Sequence, residues 1–320
     1  MSDVIGLVLP FFALIFLGFF LARLTRQPLD ALGWMNTFIV YLALPALFFQ
    51  LLAKTPFERL TEGAFIFGSV FSTYVIFALM FVSSVVMSRG ETAESTIKGL
   101  AAAYGNIGYM GPGITLLVFG PEAAVPVALI FCFENIMHFA IAPMMMALSG
   151  DDRRSRWQLL GDVTLKIVLH PFIVATALGV TAAYFQFLPP APVERLLSYL
   201  ANAAAPCALF TMGVSLALRP LRRVPVELAP IAVLKLIVHP LLCYVVLSWI
   251  GNFSPVWVFS AVLLAALPTA TNVFVIAQQY GVWAERASAS ILLTTLFSVA
   301  TVTGLIYLIK TGALAPDLFP

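Results

Sequence analysis

Runs of about 20 apolar residues, the length a helix needs to cross a hydrocarbon core, recur ten times along this chain. They cover residues 4–24, 31–53, 63–87, 97–119, 123–148, 163–186, 195–218, 226–250, 256–281 and 287–310. Soluble domains carry about 25% charged residues. Here 10% of 320 residues are charged and mean hydropathy is +1.01, so no polar surface can cover these runs in water. The expected fold is an all-α membrane protein of ten transmembrane helices. The first run has neither a basic segment before it nor a small-residue cleavage site after it, and so reads as a span rather than a leader.

One run contains its own interruption. Residues 105–113 read GNIGYMGPG, four glycines and a proline inside the fourth run. In a helix interior each glycine costs about 1 kcal/mol and each proline about 3 kcal/mol. The fourth helix is therefore expected to break in mid-membrane. Unwound backbone at that depth persists only where it is buried in protein or lines a cavity.

Displacing the chain by 161 residues against itself aligns Pro10-Phe11 with Pro171-Phe172, Gly18 with Gly179, Pro28 with Pro189 and Pro45 with Pro206. Phe49 meets Phe210, Gly90 meets Gly251, and Gly120 meets Gly281. Ile107 to Gly111 falls on Pro268 to Asn272 in LPTATN, so the ninth helix is expected to break where the fourth does. The chain thus divides into a first five-helix repeat, 1–150, and a second, 162–310. Five is odd, so the second repeat enters the membrane from the opposite side. Inverted repeats of this kind typify secondary transporters.

Twelve lysines and arginines follow odd-numbered spans, from Arg23 and Arg26 to Arg286; four, Lys54, Arg59, Arg195 and Lys310, lie on the other side. Basic residues favour the cytoplasm, which puts both termini outside. A net charge of +2 and no basic, aromatic-interleaved patch give no support for nucleic acid as a partner. Cys132, Cys207 and Cys243 fall inside apolar spans without metal-like spacing and read as small buried side chains.

GNIGYMG in span four, APCALFTMGVSL at 205–216, HPFIVATALG at 170–179 and LPTATNVFVIAQQYG at 267–281 together resemble the auxin efflux carrier family. The resemblance covers nearly the whole chain. It implies two inverted five-helix repeats whose broken fourth and ninth helices cross. It also implies a scaffold of spans 1, 2, 6 and 7, a moving transport domain of spans 3–5 and 8–10, and a homodimer. The family includes plant auxin exporters and bacterial carriers assigned to malonate or malate, which implies a bacterial inner (plasma) membrane for this chain. Its crossover residues match Asn106, Gly108, Gly111 and Pro268, and its scaffold prolines match Pro45 and Pro206. Here Pro112 is followed by Gly113 where the family often has an apolar residue.

Charges within spans are expensive and mark candidate sites. Glu134 and His138, in FENIMHF, stand four apart on one helical face. Two readings stand, a proton-coupling pair or a satisfied hydrogen bond that orders the fold. Lys235, in LKLIVHP, reads either as an attractor of an anionic substrate or as counter-charge to Glu134. His170 and His239, each before a proline, read as helix-packing residues. Asn106, Thr269 and Asn272 supply uncharged donors and acceptors at the breaks, and Tyr109 and Met110 either wall a pocket or pack elsewhere. Gln278 and Gln279 lie nearer a mouth than the centre.

The competing readings are weaker. DDRR at 151–154 lacks the second acidic cluster that diphosphate chemistry needs and reads as a solvated loop; HExxH and exposed GxSxG motifs are absent. An enzyme is therefore not expected, and no cofactor or metal is called for. The acidic motifs of sodium-coupled bile-acid-symporter-like carriers are missing from the broken helices. An anion channel would also tolerate broken helices. The reading that follows is a secondary transporter, moving a small mono- or dicarboxylate by elevator-type alternating access. Asn106, Gly108, Tyr109, Gly111, Pro268, Thr269 and Asn272 would hold the substrate. Glu134, His138 and Lys235 are the candidates for any proton linkage.

Overall fold

The computed structural model describes residues 2–88, 91–149, 158, 161–162, 164–165, 168–218 and 228–319. Among them every regular element is helical, and one isolated antiparallel bridge joins Gly105 to Thr269. The α-helices are α1 Ser2–Thr25, α2 Gly33–Phe38, α3 Leu44–Ala53, α4 Gly63–Met87, α5 Thr92–Ala103, α6 Gly111–Phe119 and α7 Ala124–Leu148. The chain continues with α8 Pro171–Tyr184, α9 Ala191–Leu218, α10 Ala229–Val233, α11 His239–Ile250, α12 Pro255–Ala265, α13 Thr271–Tyr280 and α14 Ala284–Lys310. The loop motif at 151–154 lies outside the described residues. So do eight of the twelve basic residues counted above, Arg89, Arg153, Arg154, Arg156, Lys166, Arg219, Arg222 and Arg223.

Seven described stretches are long and apolar enough to cross a membrane: Val8–Thr25, Asp30–Ala53, Gly63–Met87, Pro121–Ala147, Ala191–Leu218, Ala229–Ile250 and Ala284–Lys310. The three remaining expected runs are divided or shortened, each for a local reason. Run 97–119 is split into α5 and α6 around the glycines, and run 256–281 into α12 and α13 around Pro268. In run 163–186 the described residues 164, 165 and 168 are helical, and α8 begins at Pro171. The preceding His170 is extended (φ −66°, ψ 129°), as a residue before proline prefers.

Prolines also widen two helices without breaking them. Pro45 and Pro240 lack an N–H and their rings crowd the preceding turn. A π-helical turn precedes each, at Ile39–Ala43 and Leu234–Val238. Such insertions are frequent at functional sites, and the second carries Lys235.

The chain divides into two compact units. The first comprises residues 1–63, 108–132 and 168–219. In lipid no hydrophobic drive separates helix contacts from lipid contacts, so small residues that let backbones touch become the source of affinity. Here α1 lies against α9 through Gly18 and Gly213. A Cβ on Gly18 would stand 2.1 Å from the Phe210 carbonyl oxygen, and one on Gly213 would stand 1.9 Å from that of Ile15. Gly179 of α8 meets α3 in the same way, at Leu52 and the Phe49 carbonyl. Phe48, Phe131 and Phe172 fill the space beside these helices with ring centroids 4.4–5.6 Å apart.

The second unit comprises residues 64–107, 133–167 and 220–320. Its core gathers α5, with Ile97 and Leu100 to Tyr104 all buried, against Ile76, Phe77 and Met80 of α4 and Val273 and Ala277 of α13. Gly99 lets α5 approach the Phe77 ring, and Gly68 admits Leu247 and Ile250 of α11. The α7 residues 133–148 and the π turn holding Lys235 also belong to this unit, which places Glu134, His138, Lys235 and His239 in one body, with His170 in the other.

Candidate functional site: the paired helix breaks

The first break starts at Tyr104, whose extended conformation (φ −72°, ψ 99°) ends α5; the helix resumes at Gly111 with Pro112 in its first turn. The second break runs from Ala266 to Ala270, and the extended Ala270 (φ −66°, ψ 143°) precedes α13. Each break answers the other. The Asn106 N–H donates to the Pro268 carbonyl at 2.8 Å, and the Ala270 N–H donates to the Tyr104 carbonyl at 2.9 Å. Buried backbone groups without partners are strongly penalised. Pairing two unwound segments removes part of that penalty without a water or a ligand.

Thr269 locks this junction. Its hydroxyl donates to the Ala101 carbonyl at 2.7 Å, and its N–H donates to the Thr294 hydroxyl at 3.1 Å. Both its donors are committed inside the fold, and the residue is fully buried. Asn106 is buried as well, whereas Asn272, in the first turn of α13, is half-buried and accessible. No side chain caps α13. The Val273 N–H turns back to the Ala270 carbonyl at 3.1 Å, and the partial positive charge of this helix end adjoins the break. Gly108, Tyr109 and Gly111 belong to the first unit, where the Phe131 ring would meet a Cβ on Gly108 at 3.0 Å. Met110 is fully buried, and Gln278 and Gln279 are exposed toward the end of α13.

Lys235 and Glu134, both buried, are joined through two intermediaries. The Lys235 ammonium donates to His239 Nδ1 at 2.9 Å, and His239 Nε2 lies 3.0 Å from the Thr73 hydroxyl. Thr73 in turn donates to Glu134 Oε1 at 2.7 Å, with Ser69 at 3.4 Å from the same oxygen. A threonine has one proton to give. Since Thr73 gives it to Glu134, His239 must donate from Nε2 and accept at Nδ1, which suits the ammonium beside it. Every hydrogen bond thus points from lysine toward carboxylate. His239, read from the sequence as a packing residue, is the middle of this chain. His170 is not part of it and stacks on Phe172, the rings 13° from parallel.

His138 does not pair with the Glu134 carboxylate. Its Nδ1 turns back to the Glu134 carbonyl oxygen at 2.5 Å and lies 3.0 Å from the Tyr74 hydroxyl. Its ring rests on Tyr104, centroids 3.8 Å apart. The Tyr104 hydroxyl donates to Asn135 Oδ1 at 2.5 Å and accepts from Asn272 Nδ2 at 2.9 Å. A polar cluster on α7 is thereby wired to the second break.

Thr73, Ser69, Tyr104 and Asn135 escaped the sequence reading. Hydroxyls and amides in apolar helices carry no charge that would flag them, although Ser69 and Thr73 stand one helical turn apart on α4. The chain of bonds makes Thr73 testable. Thr73→Val keeps the shape but leaves a carboxylate and an imidazole short of a partner. It is expected to destabilise the protein by about 1.5–3 kcal/mol, the worth of a hydrogen bond to a charged group. Thr73→Ser should restore most of that loss, both read as melting temperature in detergent.

Known proteins resemble this chain along its length. A protein of Rhizobium meliloti (strain 1021) named "Putative malonate transporter" is 60% identical over 320 residues, covering 100% of both chains. An "Uncharacterized transporter" of Methanothermobacter thermautotrophicus is 24% identical over 300 residues, covering 92% of this chain and 94% of its own. A rice protein named "Probable auxin efflux carrier component 5b" is 28% identical over 168 residues, half of this chain and 44% of its own. The family described as membrane transport protein matches residues 3–306, both breaks and the whole lysine-to-glutamate chain included. The chain belongs to that family of membrane transporters, the one its crossover motifs resemble.

Proposed function

We propose that this protein is a secondary carrier of small carboxylates, with a dicarboxylate of the malonate class as its substrate. The observation that carries the reading is the junction of the two breaks, where an uncapped helix N-terminus and the accessible Asn272 meet. Such a terminus attracts anions through its dipole and its first-turn N–H groups. The class of acid is suggested by the relative named for malonate, 60% identical over the full length.

In this reading the chain forms ten spans in two inverted repeats, with both termini outside the inner membrane of a bacterium. The second compact unit, which holds the junction, is the moving body. The first, which holds spans 1, 2, 6 and 7 together with residues 108–132 of spans 4 and 5, is the scaffold and would supply a homodimer contact. Alternating access of the elevator type follows from moving one such body past the other. The lysine-to-glutamate chain offers a proton route, with Glu134 as its terminal acceptor. Asn106 supports the backbone of the junction, and Asn272 contacts the carboxylate.

The test is uptake of labelled malonate into vesicles containing the purified protein. The expected result is saturable uptake, accelerated by unlabelled malonate inside and stimulated by an imposed proton gradient. Glu134→Gln should retain counterflow and lose the response to the gradient. Unsaturated, ohmic current without counterflow would replace the carrier with a channel; no uptake of any dicarboxylate would remove the substrate assignment.

A further inference from the structure

The Lys235 ammonium does more than face Glu134. It donates at 2.6 Å to the carbonyl oxygen of Ala265, the last residue of α12. That end of a half-helix has unpaired carbonyls and a partial negative charge. The same ammonium lies against the first break, since a Cβ on Gly105 would stand 3.2 Å from Nζ and 3.3 Å from the Leu264 carbonyl oxygen. A small positive group is thus held by a freed carbonyl at the C-terminal end of a broken helix, and the backbone of the other break closes over it. In carriers built from discontinuous helices, such carbonyls are where a coupling cation is coordinated.

We propose that Lys235 is a tethered cation occupying the carbonyl-lined position that a free monovalent cation would otherwise fill, so that the fold carries its own ion. Several observations converge on this role. The lysine is fully buried, and its charge is balanced through His239 and Thr73 by Glu134. The π-helical turn at Leu234–Val238 displaces the local register and carries the side chain. Gly105 leaves room for Nζ where any other residue would crowd it. The consequence for transport, that sodium is not required, rests on the carrier reading above; the ion site itself does not.

The experiment therefore reads stability, which needs no substrate. Purified Lys235→Ala is melted in detergent in the chlorides of ammonium, methylammonium, sodium and choline at equal ionic strength. In choline, too large to enter, the variant is expected to melt well below the wild type. Ammonium or methylammonium, filling the vacated position beside the Ala265 carbonyl, should raise its melting temperature by several degrees once present at about 100 times its Kd. The wild type should melt at one temperature in all four salts. Adding Glu134→Gln to Lys235→Ala should abolish the salt dependence, because no buried negative charge is left to balance. Rescue by sodium as well would support the proposal. Equal melting of Lys235→Ala in all four salts, or a salt dependence that survives in the double variant, would overturn it. If Lys235→Ala is too unstable to purify in choline, its recovery as folded protein on extraction in ammonium chloride against choline chloride decides, and equal recovery in both would overturn the proposal.

Discussion

Gly213→Ala is expected to lower the melting temperature by on the order of 5–10 °C, from a single added methyl group. The added carbon would lie 1.9 Å from the Ile15 carbonyl oxygen and 2.9 Å from the Phe19 nitrogen, both backbone atoms that no rotamer change can move. The helices α1 and α9 would have to separate, losing close contact along the first unit. Overpacking in a tight core costs about 1–3 kcal/mol, and a clash with rigid backbone belongs at the upper end. For a chain of this size each kcal/mol is worth about 2–4 °C. Gly18→Ala meets the Phe210 carbonyl at 2.1 Å and should behave alike. Gly304→Ala supplies the contrast. Nothing lies within 4 Å of its Cβ position in α14, so the gain in helix propensity, about 1 kcal/mol, should raise the melting temperature. Opposite signs for one chemical change would show that backbone contact, not glycine flexibility, sets the stability of the first unit.

The sequence was most legible where a residue type forbids something. The breaks expected at the glycines and at Pro268 are found between Ala103 and Gly111 and between Ala265 and Thr271, whereas Pro10, Pro143 and Pro206 lie inside unbroken helices. Charge forbids contact with lipid, and Glu134 and Lys235 are both buried in one unit. The run read as 63–87 is the helix Gly63–Met87, because nothing inside it interrupts the apolar pattern. Partnership was less legible. Helical spacing alone pairs Glu134 with His138, yet the imidazole turns to the Glu134 carbonyl and the carboxylate reaches Thr73 on another helix. Spacing along one helix says which residues share a face, not what the neighbouring helix offers. The backbone pairing of Asn106 with Pro268 joins segments more than 160 residues apart, a contact no local pattern encodes. Thr269, polar and placed at a break, reads from the sequence as a substrate contact. Its two donors prove to be spent on Ala101 and Thr294.

Asn272 is the residue on which the account of substrate binding turns. It stands in the first turn of α13, is accessible, and its amide already donates to the Tyr104 hydroxyl. One of its two amide protons is therefore fixed and orients the other. A hydrogen bond to a charged carboxylate is worth about 1.5–3 kcal/mol, and every 1.4 kcal/mol is about tenfold in affinity. Asn272→Ala should thus weaken binding by roughly 10- to 100-fold. Loss of the amide removes one bond of the Tyr104 hydroxyl and leaves its donation to Asn135 in place. Lys54, which pairs with Glu194 in the first unit at 2.7 Å, offers a control outside this site. The most direct measurement is equilibrium binding of labelled malonate to the purified protein, its Asn272→Ala variant and its Lys54→Ala variant. Expected are saturable binding by wild type and Lys54→Ala and at least tenfold weaker binding by Asn272→Ala, whose melting temperature falls only by the few degrees that a lost bond of about 1 kcal/mol costs. Saturable binding that Asn272→Ala leaves untouched would contradict it and move the substrate away from the paired breaks.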